Sequence, residues 1–306
     1  MYQENIYELV EDLENVDSKV LLKLSKDLIE AASTLNQNEV RYLVDSYYQM
    51  QNDRIRAKNQ IRSLNENAEP HQVISWFADN KSITEKRIKQ ILTAYSASKE
   101  IGQWAMSVTG VGGVISSGLL AHIDMSRVVN VGQILSFAGI LPEEKEWKKG
   151  MKRPFNAKLK VLCWKAGESF VKVSNKENAF YGKIYKEWKE KYVQANESGE
   201  FAEQCKVILE KKTYNKSTDA YKAYIEGKLP PAHVQARAKR KAVQLFLSHW
   251  FEVAYFYHHG TFNPSLPYII ERGHSGYIPI PNCPFDDNKA FDVKLKAFHE
   301  RLMKQS

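Results

Sequence analysis

The sequence predicts an all-α protein with a long heptad helix near its start, a helix-hairpin-helix core, and a helical C-terminal region carrying a Pro/Gly-rich arm. Three observations carry this. Apolar residues recur at three- and four-residue steps along most of the 306 residues, the signature of one-sided helices. No region reads as strand-rich. Glycine gathers in "VTGVGGVISSG" (108–118), which holds four glycines in eleven positions between two helical patterns.

Taken in order, residues 2–34 predict two short helices joined near Asp17, with Ile6, Leu9, Val10 and Leu13 on the first and Val20, Leu21, Leu24, Leu28 and Ile29 on the second. A three-four alternation through Val40, Leu43, Tyr47, Met50, Arg54, Ala57, Ile61 and Leu64 makes a heptad seam. It fits either one long helix packed on its own domain or a homodimer through residues 40–64, with Arg54 setting register. After a break at 65–72, helices resume to residue 107. Further helical stretches fall at 131–138, 155–173 and 178–193, the last with Tyr181, Tyr185, Trp188 and Tyr192 on one face, a stripe read as core. Pro230 and Pro231 open a long helix to Tyr257, basic in its first half and apolar in its second. Residues 260–285 form the arm, with room for a short hairpin at Tyr268–Ile280, and a last helix covers about 286–304. The expected organisation is 1–100 helical with the seam, 101–175 helix-hairpin-helix, and 176–306 helical with the arm.

Composition narrows the functional classes. Hydrophobic residues at 43% and charged residues at 26% are ordinary for a globular chain, and no run reaches the length of a membrane span. The acidic start lacks a secretory layout, so a cytoplasmic location is expected. Cys163, Cys205 and Cys283 have neither disulfide-frame nor zinc spacing. His258, His259 and His274 form no ligand pattern, so no metal and no cofactor is expected. Glu143, Glu144, Asp286 and Asp287 read as turn or cap residues. The net charge is +8 and is concentrated in "KKGMKRPFNAKLK" (148–160) and "HVQARAKRK" (233–241), a distribution suited to an anionic partner.

The glycine hairpin lacks the Lys-Ser/Thr of a phosphate loop after Gly118 and the preceding strand of a dinucleotide fingerprint. What is left is helix, tight turn, helix, with "TGVGG" as the bend and Val114–Ile123 as the second helix. Thr109, Gly110, Val111, Gly112 and Gly113 could then present amide groups to a phosphate at the positive helix end, or the turn could only pack two helices, with Gly118 allowing close approach. Lys148, Lys149, Lys152, Arg153 and Lys158, and from the later block His233, Arg237, Arg240 and Lys241, are the candidate backbone contacts.

The run "SVTGVGGVISSGLLAHIDMSRVVNVGQILSFAGILP" (107–142) resembles the C-terminal domain of the Piv-type invertases and related insertion-sequence transposases, matching at Gly110, Gly112, Ala121, Ile123, Asp124, Gln133, Gly139, Leu141 and Pro142. The likeness covers a third to a half of the chain. It implies a DNA-binding helix-hairpin-helix domain and a partner that is double-stranded or branched DNA. Two departures bear on catalysis. The family's RuvC-like nuclease domain has no room before the hairpin, and "EEKEWKKGMKRPFN" (143–156) lacks the family's serine. Ser169 is the nearest downstream hydroxyl and reads as an ordinary helix serine. The segments "HVQARAKRKAVQLFLSHWFEV" and "GHSGYIPIPNCP" also resemble transposase-like proteins of phages and mobile elements that lack the nuclease. The expected function is therefore DNA binding without a catalytic centre. The alternatives are a recombinase with a relocated nucleophile or a partner nuclease, and a phage protein-interaction module presenting the aromatic helix and the arm.

Overall fold

The computed structural model describes residues 25–65, 72–141, 150–266 and 276–303. The expected helices before residue 25, the break at 66–71, Pro142, Glu143, Glu144, Lys148, Lys149, His274 and most of the possible arm hairpin lie outside the described residues. Among the described residues the protein is all-helical, with no strand.

Helices α1 (Lys26–Ala31), α2 (Gln37–Asn65) and α3 (Gln72–Ala97) come first. Val40 and Val44 of α2 bury against Leu92 and Tyr95 of α3, while Arg54 forms an ion pair with Glu85 and a second bond to Glu85 Oε1 at 3.2 Å. Low positions in α2 thus meet high positions in α3, an antiparallel pair. From Val40 to Arg54 the apolar positions of α2 pack within the chain, and Arg54, costly on an apolar seam, has its carboxylate in α3.

Helix α4 (Glu100–Ser107) is followed after a short glycine-containing turn by α5 (Gly113–His122). α5 is the centre of the fold, with every residue but Leu120 buried. A helix apolar all round must be covered on all sides, and α3, α4, α2 and α7 do so. Ser116 and Ser117, fully buried on it, are satisfied by Ser96 Oγ at 2.5 Å and the Leu92 carbonyl at 2.6 Å, as buried hydroxyls require.

After α6 (Val131–Phe137), Asn156 caps α7 (Ala157–Val173) by accepting from the Lys158 and Leu159 amides. Leu162 of α7 lies where a methyl on Gly118 would be, 2.6 Å from its Cδ2, so Gly118 does permit the close helix crossing. Helix α8 (Phe180–Glu197) follows, and then two short helices that the periodicity does not reveal, α9 (Ala202–Lys211) and α10 (Asp219–Ile225). Helix α11 (Pro231–His259) has proline in its first turn and ends at Gly260 in the left-handed region, φ +68°. Helix α12 (Asp287–Met303) is the last. Tyr181 and Tyr185 are buried, and Trp188 and Tyr192 pack partly buried beside them, so the aromatic stripe is core. The main apolar cluster runs from Trp104 to Ile280 and takes in Phe170, Tyr181, Phe246 and Trp250, so segments 101–175 and 176–306 share one core.

Two buried polar clusters tie the C-terminal part down. His249 meets Tyr181 Oη at 2.8 Å through Nδ1 and the Ile278 carbonyl at 3.1 Å through Nε2. The carbonyl can only accept, so Nε2 carries the proton and Nδ1 accepts from the phenol. Lys294, 1% exposed, pairs with Glu252 and donates to the Asn263 carbonyl at 2.9 Å. All three cysteines are free thiols.

Candidate nucleic-acid interface

The turn between α4 and α5 begins where Val108 bonds back to the Ala105 carbonyl and closes with Val111 N–H donating to Val108 O at 2.9 Å. Gly110 sits at φ +102°, a conformation open to glycine and strained for other residues. A methyl there would also meet Val173 Cγ2 at 3.1 Å and Phe170 Cδ1 at 3.2 Å. From the same helix α7, Ser169 donates its hydroxyl to the Gly110 carbonyl at 2.6 Å. Ser169 is therefore a tie between α7 and the turn, the structural role its helical setting predicts. Ser107 is likewise engaged, donating to Trp104 O at 2.7 Å and lying 3.2 Å from Asn282 Nδ2.

The glycines have separate jobs. Gly113 is buried, and a methyl on it would overlap Thr93 of α3. Gly112 is exposed, has ordinary angles of φ −102° and ψ 174°, and has nothing within 4 Å of where a methyl would stand. Neither backbone strain nor internal packing calls for glycine at this point. Gly112 is also the N-cap of α5, and no side chain caps the helix, so its first-turn amide donors, on the buried residues Gly113, Val114 and Ile115, have no side-chain partner at the positive end of the dipole. Thr109 and Gly110 are half-buried and Val111 is buried. The outward part of the bend is thus Thr109, Gly110 and Gly112.

The structure divides the nominated cations among separate places. Lys158 begins α7 and pairs with Asp45, close enough to His122, the last residue of α5, to help hold its imidazole low. Lys152 and Arg153 are exposed just before it. Because the α7 C-terminal turn seats Gly110 while its N-terminal turn neighbours His122, Lys158 stands at the far end of α5 from the glycine bend, about 15 Å for a ten-residue helix.

The α11 block is largely engaged inside the chain. Arg237 donates to Gln204 Oε1 at 2.7 Å and its guanidinium lies over Phe201 and Tyr192, 4.6 and 5.1 Å from the ring centroids. Lys241 lies 5.0 Å from the Trp188 ring centre, and burial, then Arg237, lowers its ammonium pKa. His233 lies 3.3 Å from Tyr224 Oη. Burial first, then the neighbouring Arg237, Arg240 and Lys212, holds it below the usual histidine value, so it is neutral at pH 7. Arg240 remains exposed.

The lysines adjoining the bend are ones the charge blocks do not point to. Lys172 and Lys176 are exposed in the segment that continues from Ser169 and Val173, with Lys176 N–H bonded to Val173 O at 2.8 Å. Glu177 is exposed beside them. On the other flank, Lys89 is exposed one helical turn before Thr93, the residue against Gly113. In the sequence these lysines sit in unremarkable helix ends. Only the packing of α7 and α3 on the hairpin brings them near it.

No protein family, curated protein or solved structure matches the chain. Among the described residues no helix is long and apolar enough to cross a membrane. None of the described histidines, cysteines, aspartates and glutamates gather in groups of three or more able to hold a metal ion.

Proposed function

We propose that this chain is a DNA-binding protein related to the transposases and recombinases of mobile elements or phages, without a catalytic centre of its own. It binds the phosphate backbone of double-stranded or branched DNA at the α4–α5 hairpin. The observation that carries the reading is Gly112: an exposed glycine at an uncapped helix start, which no internal contact and no backbone strain requires. Glycine in that place leaves the amide donors of α5 open to close approach by a phosphate. Lys89 and the Lys172–Lys176 segment flank the seat and supply the long-range attraction, and the net charge of +8 acts in the same direction. Contacts of this kind position the protein on the backbone and carry no sequence information.

The test is a salt titration of binding to labelled duplex and four-way-junction DNA. Affinity falls steeply with salt, and the Lys172→Gln, Lys176→Gln double variant lowers the log–log slope by about two, roughly one for each phosphate contact removed. Salt-insensitive binding, or none to either form, overturns the proposal. A partner protein captured by the chain after nuclease treatment, with no DNA bound, supports the protein-interaction alternative instead.

A further inference from the structure

The outer face of α7 presents a side chain that its position does not explain. Leu159, Leu162, Cys163, Ala166 and Phe170 are the inward positions and are all buried. On the opposite side, where a surface helix carries polar residues, stand Val161 and Trp164, 53% and 55% exposed. An indole left half in water forgoes much of the burial for which the residue is best suited.

Two cations lie close to the ring. Lys165, the next residue, lies 5.6 Å from the Trp164 ring centre and 4.8 Å from that of Tyr48 on α2. Lys239 of α11 also lies 5.6 Å from the Trp164 ring and pairs with Glu168. One turn earlier, Lys160 stands 4.0 Å from the Phe155 ring centre. Lys165 is near the outer reach of a cation–π contact with Trp164, about 6 Å, so turning toward a phosphate costs it little there, while Lys239 stays paired with Glu168. The acidic groups near this face, Glu168 and Asp45, are each already paired with a lysine.

An exposed indole with lysines close by is the arrangement that binds single strands, where a base stacks on the ring and cations follow the backbone. We infer that the α7 face centred on Trp164, with Lys160 and Lys165, is a stacking site for one base of a single-stranded nucleic acid. The site extends the nucleic-acid reading to a second surface. A base paired within a duplex cannot reach the indole, since stacking needs an open face, so the hairpin takes the duplex backbone and the α7 face takes an unpaired strand.

The experiment compares wild type, Trp164→Ala, Trp164→Phe and Gly112→Asp by fluorescence anisotropy on labelled oligo(dT), oligo(rU) and duplex DNA. Thermal melts confirm that each variant folds. Trp164→Ala weakens single-strand binding by about tenfold, Trp164→Phe restores most of it because a phenyl ring still stacks, and neither changes duplex affinity. Gly112→Asp does the reverse, so failure of this site and failure of the hairpin reading give different patterns. The dT and rU arms show which sugar the site accepts. Single-strand affinity unchanged in Trp164→Ala overturns the inference. So does sedimentation in which the wild type self-associates without nucleic acid and Trp164→Ala does not, because the indole would then serve a second copy of the chain.

Discussion

Replacing Gly112 by aspartate sets fold stability against the proposed DNA binding. The N-cap residue needs extended backbone angles, and Gly112 already has φ −102° and ψ 174°. Nothing stands within 4 Å of the new Cβ, so the carboxylate is free to accept from the amides of Val114 or Ile115. Aspartate in place of glycine at an N-cap gains a few tenths of a kcal/mol, and the negative charge at the positive helix end adds about 0.3–1 kcal/mol. The net gain is about 0.5–1 kcal/mol, which raises Tm by about 1–2 °C in a chain of this size. The same carboxylate occupies the donors a phosphate would use and repels it. Losing one charge-assisted contact, about 1.5–3 kcal/mol, weakens duplex binding by about 10- to 100-fold. Differential scanning fluorimetry reads the first effect and anisotropy with a labelled duplex the second. Gly112→Asn, a cap without the charge, falls between wild type and aspartate in affinity. A variant that melts higher yet binds duplex as tightly as wild type refutes the phosphate seat, and one that melts lower refutes the capping geometry.

Four other outcomes follow from the packing. Gly110→Ala destabilises the fold by about 1–3 kcal/mol, because a non-glycine residue at φ +102° is strained and its methyl crowds Phe170 and Val173; urea denaturation measures the loss, and a variant as stable as wild type would show that the turn takes another form. Glu85→Ala leaves Arg54 half-buried without its carboxylate and costs about 1–3 kcal/mol, whereas a double-mutant cycle with Arg54→Met recovers part of the loss; no coupling in the cycle would show that the pair does not help hold α2 on α3. Acid weakens the fold through His249, whose pKa burial holds down at about 4 against 6.5. The unfolded chain takes up that proton first, so stability is complete above about pH 6.5 and declines toward pH 4 by up to about 3 kcal/mol. His122, lowered to about 4 by burial and then by Arg41, acts in the same sense. A His249→Gln variant is less stable at neutral pH but shows a flatter profile between those limits; identical slopes in both proteins would exclude His249 as a source. Finally, Lys294→Ala strands the Glu252 carboxylate, which burial already pushes upward in pKa, and loosens α12 by about 3–5 kcal/mol. Hydrogen exchange in α12 reads the effect, with unchanged protection as the contrary result.

Much of the helical layout is legible in the sequence because its determinants are local. The seven-residue seam, the aromatic stripe from Tyr181 to Tyr192, the prolines at the head of α11 and the glycine bend each act within one or two turns of chain. Helices α9 and α10 escape such a reading. They are short, and their apolar residues Cys205 and Tyr224 make sense only in the small cluster they share with Phe201, Leu229 and Val234. That cluster's neighbourhood also takes up Arg237 and His233, which the linear pattern shows only as a basic block. Conversely, Lys172 and Lys176 gain meaning through one contact, the seating of Gly110 on the end of α7.

Local signals suffice for the helical character of the described residues, the place of the glycine turn and the positive charge, since periodicity, φ preference and composition are properties of neighbouring residues. Packing across the fold sets that Val40 to Arg54 of α2 meet α3, that α5 lies at the centre and Gly112 at the surface, and which cations stand near the bend. Those are matters of which side chains interlock across long stretches of chain, and hydrophobic burial, being non-directional, does not write its partners into any local pattern.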